Sequence, residues 1–369
     1  MPFSSVIPDD GNTAVLEPMG EVWQTPGRLR DKFGRAITDL RVSVTDRCNY
    51  KCVYCRTGNE GAQYTELSID AYMRMVRLFV SLGVEKIRLT GGEPLLRSGL
   101  VEMVRELATM RTTYLPDETF VGDTGRNGLP LDIALTTNGH LLEGLAQPLK
   151  DAGLNRVTVS MDAVDAETFT AITRVPRSFD RVLAGIRAAK AAGLGPVKVN
   201  CVLLRGFNDG QIEQFAEFSR REGVVVRFIE WMPLEEDRSW KRETVISMDE
   251  IVARLNAYRP LVELAPHAAS ETAKRFTFDD GVGEIGIIAP VTRPFCGHCS
   301  RVRLTSDGKI RTCLFSQSDH DLYGEMVRGG TDAELTAYIR RTVMRKEARH
   351  HIGEPDFEKP SRNMVHIGG

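Results

Sequence analysis

The chain has 369 residues, 42% apolar and 27% charged, a composition that excludes wholesale disorder and at this length suggests two domains or one large α/β unit with an extension. Forty-eight Lys and Arg against 50 Asp and Glu leave a net charge of -2, so no basic excess points to nucleic acid or a membrane surface, and any anion must be held by a local cluster. No apolar run reaches spanning length, the first residues lack a secretory signal, and the seven cysteines are an odd count, so a cytoplasmic protein whose thiols serve metal or redox chemistry is expected rather than a disulfide framework.

Residues 1–35 carry scattered Pro and Gly without periodicity and read as a mobile N-terminal arm. Short β-rich runs then alternate with amphipathic ones. Strands are expected at Leu40–Val44, Lys86–Thr90, Leu131–Thr137, Arg156–Met161, Val197–Leu203 and Val224–Glu230. Helices are expected at Ser68–Leu82, Leu141–Ala152, Asp180–Ala192 and Asp209–Glu222, each stopped by a glycine (Gly83, Gly153, Gly193, Gly223). This alternation implies parallel βαβ units with right-handed crossovers, arranged as an open sheet or an incomplete barrel. Thr112–Pro130 breaks the rhythm and reads as a surface loop or hairpin insertion. Past about residue 265 the character changes, with strands at Arg275–Phe278 and Gly283–Ala289, a cysteine-rich stretch, a helix at Glu334–Glu347 and an extended end, Gly368–Gly369.

Two cysteine groups stand out. Cys48, Cys52 and Cys55 follow the first strand as C-x3-C-x2-C, and Cys296, Cys299 and Cys313 follow as C-x2-C-x13-C. Thiolates suit zinc or iron–sulfur clusters, but a structural zinc site wants four ligands, and each group offers three. Three thiolates on a four-iron cluster leave one iron open to a ligand. Half a zinc site is the alternative for the first group, and a zinc site completed by His298 for the second. Cys201 reads as a buried small hydrophobe.

The first group, with Tyr54 before its last cysteine, resembles the signature of radical S-adenosylmethionine enzymes. The second strand ends in Thr90-Gly91-Gly92-Glu93-Pro94, which looks like that superfamily's GGEP motif, its glycines expected to let the backbone approach the methionine moiety. The second group, the stretch CGHCSRVRLTSDGK and the final Gly-Gly narrow the resemblance to the GTP 3′,8-cyclase family of molybdenum cofactor biosynthesis, over about Arg35 to Gly369. Other matching stretches are DLRVSVTDRCNYKCVYC, KIRLTGGEPLLR, LTTNG, VSMDA, VKVNCVL and RFIEWM. A radical enzyme that modifies a peptide with an auxiliary cluster is the alternative.

Strand parity gives an independent test. Arg41 and Ser43, Arg88 and Thr90, Thr136, Thr158 and Ser160, and Lys198 and Asn200 share one face of their strands, opposite apolar residues. If helices cover the apolar faces, the polar faces line a wetted, cationic lumen, unlike the apolar filling of an intact eight-stranded barrel. Arg41, Arg88 and Lys198, with Arg301 and Arg303, can form a triphosphate clamp.

The resemblance implies an incomplete (βα)6 TIM-type α/β barrel over residues 36–265 and a C-terminal α+β extension over residues 266–369 that carries the second Fe–S cluster and helps bind substrate. It implies two [4Fe–4S] clusters on the six cysteines and S-adenosyl-L-methionine contacts at Tyr54, Gly92, Ser160 and Met232. It also implies GTP contacts at Arg41, Arg88, Thr136, Lys198, Arg301, Val302 and Arg303, with Glu93 and Asn138 in support. The implied activity is that of a lyase that turns GTP into the 3′,8-cyclo-7,8-dihydro nucleotide triphosphate. The partners implied are a flavodoxin-like one-electron donor and a downstream cyclic pyranopterin monophosphate synthase, with a homodimer compatible and neither nucleic acid nor membrane involved. The Gly368–Gly369 tail is expected to reach the active site. Arg56 after the last cysteine of the first group, and His366 in the tail, depart from the family pattern.

Overall fold

β1 (Asp39–Ser43) is a β-rich pentapeptide whose Leu40 and Val42 are fully buried while Arg41 is only partly so. The alternation predicted for it is present. The same pattern recurs in β2 (Lys86–Thr90), β5 (Lys198–Leu203) and β6 (Val225–Glu230), while β3 (Asp132–Thr137) and β4 (Arg156–Ser160) each bury three successive residues. Between them run α1 (Ile69–Ser81), α2 (Leu100–Thr109), α3 (Leu142–Asp151), α4 (Ala166–Thr173), α5 (Phe179–Ala191) and α6 (Ile212–Glu222). This computed structural model describes residues 27–55, 62–113, 128–234, 240–355 and 357–368.

Helix ends follow local chemistry. Ser68 caps α1 by accepting from Ala71 N (3.2 Å), and α1 buries Tyr72, Met75, Val76 and Phe79, one stripe at helical spacing. Gly223 ends α6 in the left-handed conformation, at φ 61°.

The remainder comprises α7 (Met248–Tyr258), β7 (Leu261–Leu264), β8 (Lys274–Phe278), β9 (Glu284–Ile288), β10 (Arg301–Leu304), β11 (Lys309–Arg311), β12 (His320–Asp321), α8 (Leu322–Val327), α9 (Asp332–Met344) and α10 (Met364–Ile367). All twelve strands form one open sheet in the order β12-β11-β10-β1-β2-β3-β4-β5-β6-β9-β8-β7. β1 to β6 are parallel neighbours, β10 adds parallel to β1, and β9 adds parallel to β6. The C-terminal part thus extends the sheet at both margins rather than sitting apart from it.

One expectation is corrected. Of the arm read at residues 1–35, residues 1–26 lie outside the described residues, but 27–35 are docked, not free. Leu29 is fully buried and exchanges hydrogen bonds with Leu82 O and Ile37 N (both 2.8 Å). Of the Thr112–Pro130 insertion only the ends are described, closed by Thr112 N to Leu129 O (3.0 Å) and Gly128 N to Thr112 O (2.6 Å). No helix among the described residues is long and apolar enough to cross a membrane.

Candidate active site

The cysteine groups occupy opposite ends of the parallel sheet. Cys48, Cys52 and Cys55 leave the C-terminal end of β1, whereas Cys299 immediately precedes β10, whose Arg301 pairs with Asp39 at the start of β1. Five strand residues, roughly 17 Å, separate the two levels. Cys313 follows β11, antiparallel to β10, and so returns to the level of Cys299. All six cysteines are free and partly exposed.

Around the first group, burial foremost, and then the charges of Asp162, Cys55 and Cys48, push the Cys52 thiol up. Tyr54 hydroxyl donates to Asp162 Oδ2 (2.7 Å), and Val202 N donates to Asp162 Oδ1 (2.8 Å). Burial outweighs both bonds and raises Asp162 to about 6. Glu93 Oε1 accepts from Thr137 Oγ1 (2.7 Å) and Leu95 N (3.0 Å), and Oε2 accepts from Asn138 N (2.7 Å). Asn138 Nδ2 in turn donates to Asn49 Oδ1 (2.8 Å), so the ends of β2 and β3 are tied to the cysteine loop. The expectation for the glycines changes partner. A Cβ on Gly91 would meet Thr45 O at 2.4 Å and one on Gly92 would meet Arg47 O at 2.2 Å. These glycines therefore admit the backbone that launches the cysteine loop.

Around the second group, Arg301 Nη2 donates to Cys299 Sγ (3.4 Å). Burial would raise Cys299, but Arg301 and Lys346 outweigh it and hold the thiol at about 6, whereas burial and then Glu347 push Cys313 up. Lys346, almost wholly buried, donates to Arg301 O (3.0 Å) and to Thr312 O. Arg35 donates to Cys296 O (2.7 Å), Glu347 O (2.6 Å) and Ala348 O (2.8 Å), so the docked N-terminal segment and the chain after α9 together hold the cysteine turns. His298 is exposed, and among the described residues no three His, Cys, Asp or Glu side chains close on a single ion. Three soft thiols in each group have the donor chemistry of iron–sulfur ligation, and among the described residues no fourth ligand of the kind a closed zinc site requires stands with either.

Between the groups lies a row of cations. Arg303, Arg41 and Arg88 pair laterally on β10, β1 and β2, all facing away from the buried apolar side. Arg88 Nη1 donates to Thr136 Oγ1 (3.1 Å) and to Thr158 Oγ1 (3.4 Å). Arg41 Nε is buried with no hydrogen-bond partner among the described residues. Burial, then Arg303 and Arg88, lower Arg41 well below its ordinary value. Such a row is built for a polyanion. Val302 does not join it: it pairs with Leu40 and its side chain is in the core. Ser160 pairs with Asn200 at the sheet's upper level, and Met232 packs against the small core of Leu234 and Val291.

Arg227 is a cation that sequence reading missed. On β6 it pairs with Asn200, its Nε donates to Asn200 Oδ1 (2.9 Å) and its Nη2 to Thr158 Oγ1 (3.4 Å). The signal was present: extending the parity comparison to the sixth strand puts Arg227 on the lumen face. Gly286 of β9, opposite Arg227, makes room for it, as a Cβ there would meet Arg227 Cγ at 3.0 Å. Burial, then Arg227 and Arg156, hold Lys198 down at about 8. A bound polyanion favours the charged amine. Affinity for a triphosphate should therefore be insensitive to this group below about pH 8 and fall by up to about tenfold per unit above it. Lys198→Arg should remove most of that fall, as titration calorimetry between about pH 7 and about pH 9 would show; an unchanged profile would place Lys198 away from the anion.

The tail enters this space. Gly368 O accepts from Arg303 Nη1, and at φ 72° a Cβ on Gly368 would meet Thr90 Cγ2 at 2.8 Å and Ser43 Cβ at 3.2 Å. His366 is buried edge-on against Tyr64, ring centroids 5.5 Å apart. Gly369 and Arg56 lie outside the described residues.

Comparison with known proteins agrees with this geometry. Residues 42–219 match the family model for the Radical SAM superfamily, and residues 224–352 match that for Molybdenum Cofactor Synthesis C. The chain is 42% identical over 334 residues to a GTP 3′,8-cyclase of Acidothermus cellulolyticus, covering 87% of each chain. It is 40% identical over 347 residues to one of Streptomyces coelicolor, covering 92% of this chain and 96% of the relative. Among solved structures, Streptococcus suis SuiB bound to S-adenosylmethionine is similar with TM-score 0.57 at 13% identity, over 89% of this chain and 78% of that one. At that identity the likeness is one of fold alone.

Proposed function

Because the chain belongs to the GTP 3′,8-cyclase family of radical S-adenosylmethionine enzymes, we propose that its cationic strand face holds the triphosphate of GTP between the two cysteine groups. The enzyme converts GTP to (8S)-3′,8-cyclo-7,8-dihydroguanosine 5′-triphosphate, the first step of molybdenum cofactor biosynthesis. Cys48, Cys52 and Cys55 hold one [4Fe–4S] cluster and Cys296, Cys299 and Cys313 a second. When bound, the first cluster with S-adenosylmethionine supplies the reductive cleavage whose radical fragment removes the 3′ hydrogen of the ribose.

The chain's own contribution is placement. Arg41, Arg88, Arg303, Lys198 and Arg227 carry the triphosphate, and Thr136, Thr158 and Asn200 hold the Arg88 and Arg227 guanidinium groups in line. Tyr54, Gly92, Ser160 and Met232 border the S-adenosylmethionine side, with Asp162 locking the Tyr54 ring. Arg301, seated beside Cys299, places the base end at the second group. Holding both reactants in one geometry and away from water turns an encounter into an intramolecular step. An external low-potential carrier supplies the electron, and a cyclic pyranopterin monophosphate synthase in the same cytoplasm consumes the product.

The observation that carries this reading is the lateral row Arg303–Arg41–Arg88 lying between two three-thiol groups. The test is anoxic incubation of reconstituted protein with GTP, S-adenosylmethionine and dithionite. A cyclised nucleotide is expected; 5′-deoxyadenosine without any would contradict it.

Gly368 allows a sharper check. Gly368→Val forces a left-handed residue against Ser43 and Thr90 and withdraws a carbonyl from Arg303. Cyclised product should drop at least about tenfold while S-adenosylmethionine cleavage and iron content persist, a loss of about 1.4 kcal/mol in the coupled step. Equal losses in both products would make the tail a purely structural element.

A further inference from the structure

The loop bearing the first cysteine group is backed by the end of α4 and the connection that follows it. Lys51 N donates to Thr173 O (3.1 Å) and Val53 N to Ile172 O (3.0 Å), so the peptides on both sides of Cys52 are tied to the last turn of α4. On the same flank Tyr50 Oη lies 3.1 Å from His140 Nδ1. Burial, and then the nearby charge of Arg181, hold that imidazole below its ordinary value.

This flank is basic and open. Lys51, Arg174, Arg177 and Arg181 are all exposed. Arg174 and Arg177, two turns of one short connection, have φ of 58° and 56°, a left-handed conformation that a glycine adopts without strain and a long side chain does not. Arg174 is fixed there as the cap of α4, its N–H donating to Thr170 O (2.8 Å). None of Arg174, Arg177 and Arg181 forms an ion pair among the described residues. Exposed arginines elsewhere, such as Arg187 and Arg205, are matched by Glu222 and Glu250. Asp165, the first carboxylate of this region, is engaged in capping α4 through Thr168 N (2.8 Å). Three exposed arginines with no ion pair among the described residues, against the single carboxylate Asp180 between them, therefore stand on the segment that backs the peptides on both sides of Cys52.

We propose that Arg174, Arg177 and Arg181 form the docking surface for an acidic, low-potential one-electron carrier protein. The proposal rests on the reading of Cys48, Cys52 and Cys55 as ligands of a [4Fe–4S] cluster. One electron leaves the reduced carrier and is taken up by the oxidised cluster, and no bond is made or broken at the surface. The collar's task is encounter and orientation: complementary charge raises the association rate and does so less as salt rises. These arginines follow α4, whereas the lumen cations stand on the strands, so carrier and GTP do not compete for one set of charges.

The test uses the reconstituted holoenzyme and a purified acidic flavodoxin. The variants are R174E/R177E/R181E and, separately, R174G/R177G, which removes two charges while relieving the left-handed strain and so cannot lose function by misfolding at those positions. Flavodoxin binding is read by titration calorimetry at low and high salt, and cluster reduction by stopped-flow absorbance. The charge-reversal variant should bind roughly tenfold or more weakly at low salt, with its salt dependence flattened, and the glycine variant should shift the same way by less. Iron content and dithionite-driven cleavage of S-adenosylmethionine should match the wild type in both. Wild-type binding and reduction by flavodoxin in the charge-reversal variant would overturn the docking surface. Failure of dithionite to drive cleavage in the wild type would instead overturn the cluster reading beneath it, and the two failures appear in different arms.

Discussion

Serine at Cys48, Cys52 or Cys55 should abolish S-adenosylmethionine cleavage altogether and halve the iron bound, from about eight to about four per chain if both clusters are present. Serine at Cys296, Cys299 or Cys313 should remove the other half of the iron and nearly all cyclised nucleotide, yet leave measurable 5′-deoxyadenosine. The separation follows from position. The first group is at the C-terminal ends of β1 and β2, beside Tyr54, Asp162 and Glu93, and the second is a strand length away, beside Arg301 and Lys346. Hydroxyl oxygen is a poor substitute for a soft thiolate, so each loss should be near complete. Iron analysis and product chromatography on folded variants check both. Complete loss of cleavage in the second set, with the first cluster's iron retained, would show that the two groups are one functional unit.

Arg88→Ala and Lys198→Ala should each weaken GTP binding by about ten- to hundredfold, the roughly 1.5–3 kcal/mol of a charge-assisted contact, and guanosine binding far less. Arg227→Ala belongs with them. Its guanidinium shares Thr158 Oγ1 with Arg88, and its pKa is lowered by burial first and by Arg88 next, so it faces the same space. Equal losses for nucleotide and nucleoside would move these residues away from the phosphates. Because Arg88 and Arg227 converge on one hydroxyl, the double variant should lose less than the sum of the singles.

Much of this was legible in the sequence because its signals are local. Alternation within a strand placed Arg41, Arg88, Thr136 and Lys198 on one face, and glycines after helices marked where the chain turns back. What escaped depends on contacts between distant segments. Nothing near Arg301–Leu304 announces that it pairs with Asp39–Val42, some 260 positions earlier, since a four-residue strand carries no record of its neighbour. That a side chain at Gly91 or Gly92 would collide with the backbone of Thr45 or Arg47 is set by a loop more than forty positions earlier. Residues 27–35 lack periodicity, yet Leu29 and Arg35 anchor them through Leu82 and the second cysteine turn. Val302 stands between two lumen arginines in sequence and, by strand parity, faces the other way.

The central claim is that GTP sits with its ribose 3′ position facing the first cysteine group while its phosphates lie along the arginine row. Anoxic single-turnover reaction of the reconstituted enzyme with 3′-deuterated GTP tests it most directly. Mass spectrometry should find one deuterium in 5′-deoxyadenosine, accompanied by cyclised nucleotide. 5′-Deoxyadenosine free of deuterium would contradict it.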